Sequence, residues 1–60
     1  MNEEEFKTIE TMLKYGGGFV KSLANCFHRA DVNNFKKLKN AFPKYWEKYN
    51  KISKEDKEEE

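Results

Sequence analysis

Cys26 and His28 are the only cysteine and the only histidine in the chain. A thiol next to an imidazole is the pair that makes a nucleophile and its base, provided the two touch and a third group orients the base. Two residues apart on a helix, these side chains point in different directions, and no orienting group is evident. The plainer reading is a small buried thiol beside an imidazole at the solvent edge. One cysteine excludes an internal disulfide, and one cysteine with one histidine cannot close a zinc site. The run Gly16-Gly17-Gly18, followed by Lys21-Ser22, suggests a phosphate loop. A Walker loop places its lysine directly after the last glycine and follows an apolar strand. Here Phe19 and Val20 intervene, and the preceding segment is helical and acidic. The carboxylates cluster towards the two ends of the chain rather than around a pocket. The expectation is a non-enzymatic protein with no cofactor and no metal.

A second set of residues is better suited to binding. In "NNFKKLKNAFPKYWEKYNKISK" aromatic residues interleave with lysines. Tyrosine and tryptophan are enriched at binding hot spots, so Tyr45, Trp46 and Tyr49 with Lys36, Lys37, Lys39, Lys44 and Lys48 form the candidate partner-binding set. The chain has nine aromatic residues in sixty, five Phe, three Tyr and one Trp. A unit this small cannot enclose them all, so some of Tyr15, Tyr45, Trp46 and Tyr49 should be exposed. The same lysines and rings over residues 35–51 also permit nucleic-acid binding, with bases stacked on exposed rings. The segments around Asp31 even resemble a helix-turn-helix. Against that, the second of those helices has no arginine, the commonest specific base reader, and its aromatics fall at core spacing.

The elements that must hold these residues are helices. Asn2 and Glu5 have capping-box spacing, and Glu3, Glu4 and Glu5 suit the positive end of a helix dipole. Phe6, Ile9 and Leu13, with Met12 alongside, give an apolar stripe at three- and four-residue spacing, which predicts a helix over 3–15. Val20, Leu23, Phe27 and Ala30 continue it, widened by Phe19 and Ala24, to about residue 30. Asp31 offers a cap for a third helix with Phe35, Leu38, Ala41 and Phe42 on its apolar side. Pro43 ends that helix and, being tolerated at a first helical position, opens a fourth over 43–53. Glu47 and Lys51 have the spacing of an exposed ion pair. Beyond about Lys54 the acidic residues 55–60 should be a disordered tail, leaving one helical domain over 1–54.

The glycines admit two readings. The series Phe6, Ile9, Leu13, Gly16, Val20, Leu23, Phe27, Ala30 is unbroken in phase, as one continuous helix would require. Three glycines inside a helix would cost roughly 3 kcal/mol against alanine. Propensity therefore favours a break, with Gly16 ending one helix and Gly18 capping the next. The resulting fold is an all-α bundle of three or four short helices. Its expected core is Phe6, Ile9, Leu13, Val20, Leu23, Phe27, Phe35, Leu38, Phe42 and Trp46.

Length and charge add two constraints. A core from about 60 residues rarely supplies more than ~3–5 kcal/mol, so self-association or a partner is expected as further support. Residues 1–20 carry four acids and two bases, residues 21–54 nine bases and two acids, and residues 55–60 five acids and one base. The basic middle can attract the acidic ends of another copy or an anionic partner. The opening "MNEEEF" and the lack of a long apolar run give no sign of a signal peptide or membrane span. With a lone thiol suited to a reducing compartment, the expectation is a cytoplasmic protein with no membrane role.

The stretch "YGGGFVKSLANCFHRADVNNFKKLKNAFPKYWEKY" resembles a group of small phage- and prophage-encoded proteins. They share a Gly-Gly-x-Phe-Val segment, an Ala-Asp, and an Ala-Phe-Pro followed by aromatics. Here these are Gly16 to Val20, Ala30-Asp31, and Ala41-Phe42-Pro43 with Tyr45, Trp46 and Tyr49. The resemblance covers residues 15–49 and carries no catalytic or binding residue with it. It implies a phage protein made in a bacterial cytoplasm. By analogy with small phage proteins as a class, it implies action by binding a host protein, defence systems included.

Overall fold

The computed structural model describes residues 1–55, which form four helices and, among themselves, no strand. They are α1 (Glu3–Tyr15), α2 (Gly18–Arg29), α3 (Val32–Ala41) and α4 (Pro43–Glu55). The all-α architecture is as expected. α4 runs two residues further than predicted, so Glu55 is helical rather than part of a tail. The remainder of the expected tail, 56–60, lies outside the described residues.

Local chemistry sets the helix ends. The Glu5 amide donates to Asn2 Oδ1 at 2.8 Å, and the Asn2 amide donates to Glu5 Oε1 at 3.2 Å. This closed capping box satisfies two amide donors that α1 cannot pair internally. Asn2→Ala is expected to cost about 1 kcal/mol, read as a lower urea midpoint. Since Asn2 is exposed, an unchanged midpoint would mean that the cap contributes nothing. Asp31 caps α3 by accepting from the Asn34 amide at 2.8 Å. One residue, Phe42, separates α3 from α4. Its amide donates to the Leu38 carbonyl at 2.9 Å, and its own carbonyl accepts from Trp46 at 3.2 Å. Pro43 then occupies the first helical position, where its missing N–H costs nothing.

The glycine joint is a break. Gly16 ends α1 at φ −77°, ψ 157°. Gly17, at φ −77°, ψ −169°, is the N-cap of α2, and Gly18 is already helical. The cap therefore lies one residue before the position expected. Neither residue has a positive φ, so backbone freedom is not why glycine stands here. Gly16 is buried, and a Cβ on it would lie 2.4 Å from Val20 Cγ1 and 2.6 Å from the Met12 carbonyl oxygen. The joint breaks the helix and still keeps Gly16 at the core position that the phase of the stripe demands.

α1 packs most extensively against α4 and α2, with α3 making smaller contacts to α2 and α4. The buried core is Ile9, Met12, Val20, Leu23, Ala24, Phe27, Trp46 and Tyr49. Phe35, Leu38, Phe42 and Ile52 pack against it, partly buried. Two expected core residues are not there: Phe6 is 44% and Leu13 40% exposed. α1 instead turns Thr8, Ile9, Thr11 and Met12 inward. The cause is the position of α4, which lies over Thr8. The Thr8 hydroxyl is 3.1 Å from Asn50 Oδ1, and it donates to the Glu4 carbonyl at 2.9 Å. The Thr11 hydroxyl donates to the Lys7 carbonyl at 2.8 Å. Both buried hydroxyls are thus satisfied within the fold, and the Phe6–Leu13 line is left at the edge.

Three rings fill the centre. The Phe27 ring is 5.3 Å from Phe35 and 4.8 Å from Trp46, and Phe35 and Trp46 are 5.3 Å apart at 78°. Lys54 pairs with Glu4 at 3.3 Å, which joins the last turn of α4 to the first turn of α1, as two antiparallel helices allow. Among the described residues the i,i+4 ion pair is Glu3–Lys7 at 3.6 Å. The expected Glu47–Lys51 pair is not formed. Exposed pairs of this kind contribute between about 0 and 1 kcal/mol.

Candidate partner-binding site

Because α4 is antiparallel to α1, its first turn comes down beside the glycine joint and the start of α2. Three aromatic residues meet there. Phe19 is the second residue of α2, Phe42 is the link between α3 and α4, and Tyr45 lies in the first turn of α4. Their ring centroids are 5.8 Å (Phe19–Phe42), 5.6 Å (Phe19–Tyr45) and 6.2 Å (Phe42–Tyr45) apart. Such spacings are favourable for aromatic pairs, yet the cluster is not covered: Phe19 is 56% and Tyr45 39% exposed. Val20, the next residue, points into the core. Neighbours on a helix diverge by about 100°, so Phe19 cannot follow Val20 inward.

The expected set is divided by the fold. Tyr45 is exposed and belongs to the cluster just described. Trp46 and Tyr49 are 7% and 6% exposed and belong to the core. This corrects their assignment to a binding surface: in the folded chain their rings are occupied by neighbours. Lys39 is half-buried, its Nζ 5.1 Å from the Trp46 ring centroid and 5.7 Å from that of Phe35, so its cation covers the core aromatics. Lys48 lies 5.4 Å from the Tyr49 ring. Lys36, Lys37 and Lys44 are exposed.

Phe19 and Phe42 are the members that spacing alone misses. Phe42 was expected in the core and is only partly buried, and Phe19 was expected to widen the inward stripe of α2. The available signal was the pair Phe19-Val20, which a single narrow stripe cannot hold. Tyr15 is also exposed, at 51%, and the Lys14 ammonium is 5.2 Å from its ring.

The other candidate chemistry is also placed. Cys26 is a free, exposed thiol rather than the buried one expected, and His28 is exposed too. α2 puts Cys26 on the side facing α3, which covers that side too loosely to bury it. Among the described residues there is no group of three or more His, Cys, Asp and Glu that could hold a metal ion, and no helix is long and apolar enough to cross a membrane. The chain matches no protein-family model, no curated protein and no solved structure.

Proposed function

We propose that this chain is a non-enzymatic binding protein of phage type. It works in the bacterial cytoplasm, where it engages a host protein, such as a component of a defence system, and inhibits or adapts it. The observation that supports this most directly is the aromatic trio of Phe19, Phe42 and Tyr45, with Phe19 and Tyr45 exposed. Clustered aromatics held by a rigid scaffold are good anchors, because little rotamer freedom is lost on binding. The exposed Phe6 and Leu13, two turns apart on α1, give a second apolar strip on which copies of the chain can associate.

The test is affinity capture from a phage host with the wild-type chain and with a Phe19→Ala/Tyr45→Ala double variant. The wild type is expected to recover one dominant partner and the variant to lose it. Both residues are exposed, so the variant should keep its helical circular dichroism. Recovery of no partner under several conditions, or equal recovery by the variant, would refute the proposal.

The alternative is a nucleic-acid binder using residues 35–51, which the exposure of Lys36, Lys37, Lys44 and Tyr45 favours. It has less to work with, since Trp46 and Tyr49 cannot stack bases from inside the core. It predicts an affinity for DNA that falls steeply between about 50 and 200 mM salt. Binding that is absent or indifferent to salt would exclude it.

A further inference from the structure

Charge is segregated among the helices. α2 and α3 carry Lys21, Arg29, Lys36, Lys37 and Lys39 and no carboxylate. The one acid between them, Asp31, is held by the Asn34 amide that it caps. α1, by contrast, holds Glu3, Glu4, Glu5 and Glu10. An open groove of about 540 Å³ lies between α2 and α3. One wall is Cys26, Arg29 and Ala30, and the other is built mainly of Lys37, Leu38 and Ala41, with Asn34 at its end. On both walls the residues recur at three and four, so each wall is a single helix face. Two cations flank an otherwise apolar and neutral lining.

The groove leads to the aromatic trio. Phe19 lies seven residues before Cys26 on the same face of α2, and Phe42 follows Ala41 and meets the Phe19 ring. From Phe19 to Arg29 is about 15 Å of helix axis at 1.5 Å per residue. That length suits a bound helix of about ten to fourteen residues.

We infer that the α2–α3 groove receives an acidic amphipathic helix of the partner protein. Its apolar side chains, spaced at three and four, enter between Cys26, Ala30, Leu38 and Ala41 and end against the trio. Its carboxylates meet Arg29 and Lys37. This is helix-in-groove recognition, with like-charge rejection of basic helices as its selective element. The inference rests on the protein-binding reading above. A nucleic-acid strand fits the groove less well, because it needs a track of cations along a backbone and open ring faces. Here two cations border apolar surface, and phosphates gain nothing from the apolar lining.

The test is to pan a displayed library of random peptides, about 16 residues long to allow ~24 Å of helix, against the intact chain. Enriched peptides are expected to carry Leu, Ile, Met or Phe at three- and four-residue spacing, with Asp or Glu beside them. Their binding should slow alkylation of Cys26, the chain's single thiol, severalfold. Lys37→Gln should weaken binding measurably, and Arg29→Glu/Lys37→Glu at least about tenfold. Both positions are exposed, so helical circular dichroism should be unchanged. Enrichment of basic peptides, or an unprotected Cys26, would overturn the inference. So would displacement of the peptides by a single-stranded oligonucleotide, which would give the surface to nucleic acid. A partner lost with Phe19→Ala/Tyr45→Ala but kept by Arg29→Glu/Lys37→Glu overturns the groove and leaves the binding reading standing. Failure to recover either a peptide or a partner overturns both.

Discussion

A Phe27→Ala chain should be largely unfolded at 25 °C. Phe27 is fully buried, and its ring is the one that touches both Phe35 and Trp46. Removing a buried phenylalanine costs about 3–5 kcal/mol, in lost transfer energy and in the cavity left behind. A core in a chain this short supplies about the same amount, so the loss is comparable to the whole stability. The chain's single tryptophan is Trp46, so its fluorescence reads the site directly. The expected result is red-shifted emission at room temperature and a melt without a cooperative transition. The matched control is Phe6→Ala. Spacing puts Phe6 in the core, but at 44% exposure its removal should cost under about 1.5 kcal/mol, since only about half of the full ~1.5–3 kcal/mol of side-chain burial is realised. Equal effects of the two substitutions would mean that the inward face of α1 is assigned wrongly.

Gly16→Ala should be the second most damaging of the simple changes. The added Cβ would sit 2.4 Å from Val20 Cγ1 and 2.6 Å from the Met12 carbonyl. That carbonyl accepts the Gly16 amide at 2.9 Å, so it cannot withdraw without loosening the end of α1. Val20 is 7% exposed and in the core, so it cannot swing away freely either. Overpacking of this kind costs typically 1–3 kcal/mol, and the entropy that alanine removes from the unfolded chain returns only about 0.4–1 kcal/mol. The neighbouring glycines behave differently because nothing lies within 4 Å of a Cβ on either of them. Gly18→Ala, at a helical position with space around it, should stabilise by about 0.5–1 kcal/mol. Gly17→Ala should be close to neutral, since glycine is preferred over alanine at an N-cap and the unfolded-state gain opposes that preference. Urea midpoints of the three variants separate close packing from conformational freedom as the reason for the glycine run. A Gly16→Ala chain as stable as wild type would refute the packing account.

The packing behind these two expected outcomes, with the trio and the groove, divides the molecule into a part that folds it and a part that faces outward. Phe27, Phe35, Trp46 and Gly16 hold the four helices together. Phe19, Tyr45, Arg29 and Lys37 lie on the outside of that frame, so they can be changed without dismantling it, whereas Phe42 belongs in part to both. That separation makes the binding proposals testable in a chain of such limited stability.

The helices themselves were legible from residue order, because they depend on contacts within about four positions. The Asn2–Glu5 box, the Asp31 cap, the Pro43 start and the cost of consecutive glycines are all local effects. They placed the helix boundaries to within two residues and predicted the break at the glycines. The direction in which each helix faces is not local. Periodicity gave α1 an apolar line through Phe6 and Leu13, but α4 covers the face carrying Thr8 and Met12, and no spacing rule knows where α4 will lie. For the same reason Tyr49, read as a binding residue, is core, and Trp46, read both as a binding residue and as core, is core. Phe19, read as widening the inward stripe of α2, is surface. The trio joins position 19 to positions 42 and 45, and the groove joins α2 to α3. Both exist only because the antiparallel return of α4 and the one-residue link at Phe42 bring distant segments side by side. Sequence alone determined an all-α chain with a basic middle and an aromatic excess. The tertiary structure decided which of those rings and charges are left for a partner, since burial depends on neighbours that only the folded chain supplies.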